Sequence, residues 1–263
     1  MKSEDPMKVV RFSAGGDPKY AALEEKSTKL VVLKGDPLFQ TVEPSGEILE
    51  LDDVRLLSPM IPRSKVLGAA FNFRNPANPG AEEPKEPIVF MKPNTAVIGP
   101  DDPIVLPEWT NEVVFETEVA VIIKTLCKDV KAADAQDVIF GYTIANDVTA
   151  RDRLLADRTM LRAKTFDTSC PVGPWITIDP ELDVYNLAVT TRINGEVVHQ
   201  GNTRDMIHKI PALIEYISHT CTLLPGDMIL VGTPAGNGEI KAGDVVECEI
   251  EGLGVLRNQV VRR

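Results

Sequence analysis

Val113-Val114-Phe115-Glu116-Thr117-Glu118-Val119-Ala120-Val121-Ile122-Ile123 reads as one strand, rich in β-branched residues, with two carboxylates set into it. Side chains alternate along a strand, so Glu116, Glu118, Ala120 and Ile122 share a face that turns apolar where the acids end. Two carboxylates roughly 6–7 Å apart at the rim of a buried face repel each other and lose hydration. A divalent cation resolves both problems. A third acid, Asp147, closes another apolar segment, Ile139-Phe140-Gly141-Tyr142-Thr143-Ile144-Ala145-Asn146-Asp147. Three carboxylates form a hard oxygen site suited to Mg²⁺, Mn²⁺ or Ca²⁺. The alternative is a solvated strand edge, in a chain with 39 acidic residues.

Outward from this segment, β signals dominate. Residues 1–57 form a small β-rich unit with runs at Val9–Phe12, Leu30–Leu33 and Ile48–Leu51, separated by Gly-Asp and Ser-Gly pairs. Ser58-Pro59-Met60-Ile61-Pro62 is the joint to a main unit over 58–263. Residues 74–107 are dense in proline, which removes N–H donors and predicts loops and short strands, with Ile88–Met91 as the strand among them. Asp129 is set to cap a short helix through Ala132, Ala133 and Ala135. A longer helix is predicted over Asp205–Thr220, with Pro211 near its first turn and Ile210, Leu213, Ile214 and Ile217 along one side. The tail is β, its strands fed by the turns Pro225-Gly226-Asp227 and Ala242-Gly243-Asp244. Helices do not alternate with strands, so the fold class is mainly β with some α rather than doubly wound.

The 263 residues are enough for one large domain, or one large and one small. Net charge is −11, without a basic block or basic-aromatic stripe, so neither nucleic acid nor an anionic membrane is an expected partner. The four cysteines include no Cys-x-x-Cys and the three histidines no His-x₃-His, which argues against zinc. Met1–Pro6 carries no apolar leader pattern, no run of 18 apolar residues occurs, and the expected compartment is the reducing cytoplasm.

Several ordered motifs carry a resemblance. They are Phe90-Met91-Lys92-Pro93, Phe115-Glu116-Thr117-Glu118-Val119-Ala120-Val121, the stretch from Gly141 to Asp152, Arg162-Ala163-Lys164-Thr165-Phe166-Asp167, Cys170-Pro171-Val172-Gly173-Pro174-Trp175, Gly201-Asn202-Thr203, Pro225-Gly226-Asp227 and Gly232-Thr233-Pro234-Ala235-Gly236. Along residues 58–263 they resemble the fumarylacetoacetate hydrolase family. The resemblance implies a mixed β-sandwich roll with a smaller N-terminal domain, usually a homodimer. It implies an enzyme that hydrolyses, decarboxylates or isomerises a small anionic 2-oxo acid or 1,3-dicarbonyl compound through an enolate. It implies one Mg²⁺ or Mn²⁺ per chain on Glu116, Glu118 and Asp147, with Lys164 as the catalytic lysine and Arg151 and Thr233 on substrate oxygens. Read without the resemblance, Lys164 is a surface cation, Arg151 a partner of Asp152 or Asp147, Thr233-Pro234 an ordinary turn, Cys170 a packed apolar residue and Trp175 core.

The chain also departs from the family pattern. Where the family commonly carries Asn-Tyr-x-x-His-x-x-Glu on a mobile lid, this chain has Phe71-Asn72-Phe73-Arg74-Asn75-Pro76-Ala77-Asn78-Pro79. Pro76 and Pro79 stand at the His and Glu positions and carry no proton. Leu154 stands at a frequent Gln position and Met160 at a Trp position. Hydrolysis, which needs a base on water, is the reaction most affected. Arg74, Asn75, Asn78, Glu82 and Glu83 are the candidates to act in that segment, with Arg74 as a substrate-binding residue. A lyase or cyclase step, or metal and ligand binding without turnover, are the alternative functions.

Overall fold

Chain direction along the large sheet is set mainly by antiparallel pairing around the Glu-x-Glu strand. A computed structural model describes residues 6–24 and 26–262. The Val113–Ile123 run is not one strand: it divides into Val113–Val114 and Thr117–Ile123, with Phe115 and Glu116 between them. Val113–Val114 leaves to pair with Thr149–Ala150. The break has a local cause, because the Glu116 N–H turns to the Asn146 side-chain oxygen at 3.0 Å. Thr117–Ile123 is buried throughout and is paired on both sides, to Ile139–Asn146 and to Met228–Leu230.

The largest sheet has twelve strands. Its main path runs Pro44–Glu50, Lys29–Leu33, Lys19–Leu23, Met7–Ser13, Cys170–Ile178, Ile139–Asn146, Thr117–Ile123, Met228–Leu230, Val66–Ala70, Ile88–Lys92. The expected strands of the N-terminal unit are present. Lys19–Leu23, which the pattern reading missed, lies between them. This unit continues the sheet of the main unit, through the register Met7–Ile178 and Val9–Ile176. A five-stranded sheet, Glu196–Asn202, Ala188–Ile193, Val245–Ile250, Gly254–Arg262 and Ile104–Leu106, covers one face.

Alternation along Thr117–Ile123 feeds two cores. Val119, Val121 and Ile123 join Val189, Val246 and Leu256 of the second sheet. Ala120 and Ile122 join Val172, Ile176, Met228 and Leu230 on the opposite face. The buried hydroxyls of Thr117 and Thr191 meet at 2.7 Å and tie the two sheets together.

The helix begins at Ile210, not Asp205, and runs to Thr220 with Pro211 in its first turn. The buried Asn72 accounts for the late start. Its side chain accepts the His208 N–H at 2.8 Å and donates to the carbonyls of His208 and Val231 at 3.0 and 2.8 Å. These bonds hold 206–208 extended against Phe73. Ile210, Leu213, Ile214 and Ile217 are buried, as the spacing predicts, and burying each such side chain contributes about 1.5–3 kcal/mol. The Asp129 cap is a correction. Ala132–Val138 is a 3₁₀ helix preceded by Lys131 with no side-chain cap, while Asp129 contacts His219 beside the end of the long helix. Among the described residues no helix is long and apolar enough to cross a membrane. The leader-pattern expectation at Met1–Asp5 lies outside the described residues.

Candidate metal centre

Strand pairing brings the acids together. Glu118 lies opposite Ala145 and Thr117 opposite Asn146, so the end of Ile139–Asn146 delivers Asp147 beside the Glu-x-Glu segment. The Asp147 N–H donates to the Glu116 carbonyl at 2.8 Å, locking the two termini. One oxygen from each of Glu116, Glu118 and Asp147 lies within 4.8 Å of the others.

Two lysines face this cluster. Lys164 comes from the short helix Leu161–Lys164, and its side chain is only 5% exposed. Its ammonium donates to Glu116 Oε2 at 2.6 Å and also to Asp147 Oδ2. The same nitrogen lies 4.6 Å from the centre of the Phe90 ring. Lys92 is fully buried and donates to Asp147 Oδ1 at 2.6 Å and to the Val148 carbonyl at 3.4 Å. Glu118 accepts the Gly232 N–H at 2.7 Å. Gly232 has φ +96°, and a Cβ there would meet the Ala69 carbonyl oxygen at 3.0 Å, so this donor requires glycine.

The electrostatics follow from burial and from the count of charges. Burial would raise Asp147, but the ammonium groups of Lys164 and Lys92 outweigh it and hold its carboxyl below the usual range. Burial, then Asp147 and Glu116, push Glu118 well above the usual range. Burial also raises Glu116, against the pull of Lys164. Burial would lower Lys164, yet the three acids together raise it, so it stays an ammonium. Three acids against two ammonium groups leave one negative charge uncompensated, and it is felt most at Glu118. Three converging hard oxygen donors, two buried and that of Glu116 partly exposed, fit a divalent cation, and the Lys164 ammonium already bridges two of them.

A cavity of about 810 Å³ opens onto this cluster. Glu116, Glu118, Lys164, Arg74 and Thr233 line it, while Asp147 lies beneath, fully buried. Thr233 donates its hydroxyl to the Thr117 carbonyl at 2.9 Å. Arg74 is engaged by Glu83 through two bonds, at 2.7 and 3.3 Å. Pro76, Pro79, Leu154 and Met160, the positions that depart from the family pattern, all line the cavity.

Arg151 does not line it. Its guanidinium donates to the Asn237 side-chain oxygen at 2.7 Å and to Glu112 at 3.3 Å. Neither Asp152 nor Asp147 is its partner; Asp152 pairs with Arg153 and accepts from Thr110. Asn237 in turn donates to Glu116 Oε1 at 3.0 Å. Arg151 therefore reaches the acid cluster through Asn237. Sequence reasoning assigned no role to Lys92 or Asn237. The signal for Lys92 was present, since it shares with Phe90 the inward face of Ile88–Lys92. For Asn237, in an irregular segment, no periodicity could have shown it. Cys170 is a packed residue whose thiol is pushed up to about 12 by burial, and Trp175 is half-buried beside the N-terminal core.

A family model described as fumarylacetoacetate (FAA) hydrolase C-terminal matches residues 65–261, and one described as Rv2993c-like, N-terminal matches residues 7–59. The chain is 49% identical over 227 residues to Protein Rv2993c of Mycobacterium tuberculosis, covering 86% of this chain and 85% of that protein. It is 40% identical over 242 residues to the mitochondrial oxaloacetate tautomerase fahd2 of Xenopus laevis, covering 86% and 76%. It superposes on the crystal structure of 2-hydroxyhepta-2,4-diene-1,7-dioate isomerase from Mycobacterium marinum with a TM-score of 0.89 at 42% identity, covering 98% of this chain and 99% of the other.

Proposed function

The chain belongs to the fumarylacetoacetate hydrolase family, and from that membership we propose that it is a divalent-metal-dependent enzyme that interconverts the keto and enol forms of a small anionic 2-oxo acid. The observation that carries this reading is the pairing of Lys164 with the acid cluster beneath a cavity whose lid positions are Pro76 and Pro79. A relative named for oxaloacetate tautomerisation and a structural neighbour named as a dioate isomerase support the same class. Glu116, Glu118 and Asp147 would hold Mg²⁺ or Mn²⁺, which supplies positive charge where an enolate develops.

The chain's own residues do the rest. Lys164, whose ammonium lies 2.6 Å from Glu116 where both line the cavity, gives a proton to the C2 oxygen. The C3–H bond breaks, its electron pair becomes the C2=C3 bond, and the C3 proton leaves to water at the open mouth. Lys164 then regains a proton from solvent. Lys92 holds Asp147 charged, and Gly232 holds Glu118 through its N–H. Thr233 keeps the segment after Gly232 against the strand at Thr117. Pro76 and Pro79 supply no base to activate water, which favours isomerisation over hydrolysis. The same reading includes a homodimer.

The test follows the enol absorbance of small 2-oxo acids, with acylpyruvate hydrolysis run in parallel, under saturating Mg²⁺ or Mn²⁺ and after chelation. Expected is metal-dependent tautomerisation that Lys164→Met abolishes, with hydrolysis slower by about 10²–10⁴-fold. Hydrolysis as fast as tautomerisation would refute the reading and direct attention to Glu82 and Glu83, which line the cavity.

A further inference from the structure

The segment 232–237 reaches the acid cluster at both ends. Gly232 donates to Glu118, Thr233 is tied to Thr117, and Asn237 donates to Glu116. Between these anchors Pro234 has no N–H to give, and the Ala235 carbonyl accepts from His199 Nε2 at 3.1 Å. His199 comes from the other sheet. It is the buried residue of the edge strand Glu196–Asn202 and lies opposite Thr191. Its ring stands 5.9 Å, centre to centre, from that of Phe115, the residue before Glu116. Gly201 follows on the same face of the strand. A Cβ there would come within 2.3 Å of the Pro234 side chain, so glycine lets the segment settle onto the strand.

A carbonyl oxygen only accepts, so Nε2 carries the hydrogen and the neutral ring leaves Nδ1 bare. Nδ1 is buried and meets no hydrogen-bond partner among the described residues. Burial holds this imidazole below its ordinary range, against the pull of the Ala235 and Pro234 carbonyls. An apolar side chain could fill the same space without burying an unpaired nitrogen. Packing alone therefore does not account for a histidine here, whereas the bond to Ala235 does.

We propose that His199 is a positioning residue for the metal centre. Its Nε2–H fixes the Ala235 carbonyl, sets the path of the chain into Asn237, and so orients the Glu116 carboxylate that Asn237 holds. This role rests on the reading of Glu116, Glu118 and Asp147 as the ligands of the cation, and it holds whichever reaction the site performs. It gives the second sheet a direct part in aiming the ligands, which the first sheet carries.

The experiment measures Mn²⁺ dissociation constants by electron paramagnetic resonance on the full chain, with urea unfolding of each variant to show that it is folded. His199→Leu removes the donor and is expected to weaken Mn²⁺ by about ten-fold, the lower end for groups that orient ligands. His199→Gln, whose amide nitrogen can reach the place of Nε2, is expected to stay within about two-fold of the unaltered protein. In the Asn237→Ala background, His199→Leu is expected to add little, because its route to Glu116 is already cut. Nitrogen-15 NMR of the unaltered protein, assigned with His208→Gln and His219→Gln, is expected to show His199 neutral with its hydrogen on Nε2. That readout needs no substitution at the residue itself. Unchanged Mn²⁺ affinity in His199→Leu would overturn the proposal, as would equal losses in the two substitutions, a full further loss in the Asn237→Ala background, or a hydrogen on Nδ1. Mn²⁺ binding without turnover of any 2-oxo acid would refute the tautomerase reading while the Mn²⁺ ratios still decided the role of His199. No Mn²⁺ binding by the unaltered protein would overturn both.

Discussion

At the scale of single residues, the acid cluster is a set of charges whose cost is visible in their protonation. Glu118 is raised well above its ordinary value of 4.5 by burial and by Asp147 and Glu116. The unfolded chain loses this proton first, so between 4.5 and the raised value the folded state binds more protons. Stability of the metal-free protein should therefore fall as pH rises through that window and then level off. Asp147 behaves oppositely. Its carboxyl is lowered from 3.8, so its contribution is present above that pH and is lost as pH falls through the lowered value. Melting temperatures of the chelated protein should decline from about pH 4.5 upward, saturating Mg²⁺ should reverse the decline at neutral pH, and Glu118→Gln should lessen both effects, leaving the share that the raised Glu116 carries. A chelated protein whose melting temperature is flat across this range would contradict the assignment. Asn237 is expected to orient Glu116, and Arg151 to orient Asn237. Mn²⁺ titration by electron paramagnetic resonance should show Asn237→Ala weakening metal by about 10–100-fold, as for other groups that orient ligands. If Arg151 acts through Asn237, Arg151→Met should add little in the Asn237→Ala background. Additive losses would mean that the two residues act separately.

At the scale of elements, the cluster is assembled by strand ends and by the loop after a strand. Thr117–Ile123, read as part of one strand Val113–Ile123, and Ile139–Asn146, read as an apolar segment, are legible because β-branched and apolar residues fill both faces of each. The break at Phe115-Glu116 is not, because it depends on Asn146, a side chain thirty positions away that takes the Glu116 N–H. The helix start is misread for a similar reason. Asn72 binds 206–208 through long-range bonds that no local pattern encodes. Gly232 ties an element to the site, since its left-handed backbone follows Met228–Leu230 and aims an N–H at Glu118. Gly232→Ala is expected to cost about 1–3 kcal/mol in urea unfolding, the usual range for a side chain forced into such a conformation. A change below about 0.5 kcal/mol, the range for uninvolved positions, would show that the backbone relaxes freely here.

At the scale of the whole molecule, the large sheet ends on one side at Ile88–Lys92, where Met91, on the face opposite Phe90 and Lys92, is 55% exposed. An edge strand with exposed apolar side chains is a template for pairing unless something covers it. Phe71, 66% exposed, lies just beyond Val66–Ala70, the partner of that strand. We expect a homodimer that covers this region. Light scattering at micromolar concentration checks it, with Met91→Lys expected to shift the population toward monomer. A monomeric unaltered protein would defeat the expectation. The net charge of −11 leaves substrate capture to local groups rather than to the overall field, which is the role Lys164 and a bound cation would fill.

Sequence alone determined the β-dominated class and the family, because both rest on local regularities: alternation, turn chemistry and ordered short motifs. It also singled out Glu116, Glu118 and Asp147, since acids in apolar strands are chemically conspicuous, and Lys164 through the family resemblance alone. The tertiary structure decided which of the remaining polar residues reach the cluster. Lys92 turns inward with Phe90 and meets Asp147 across 55 positions. Asn237 meets Glu116 across 121, and its side chain stands between Arg151 and the cluster. These contacts depend on the register of strands and the path of loops far apart in the chain. Hydrogen bonds and desolvation act over a few ångströms of space, and no pattern confined to neighbouring residues specifies that distance.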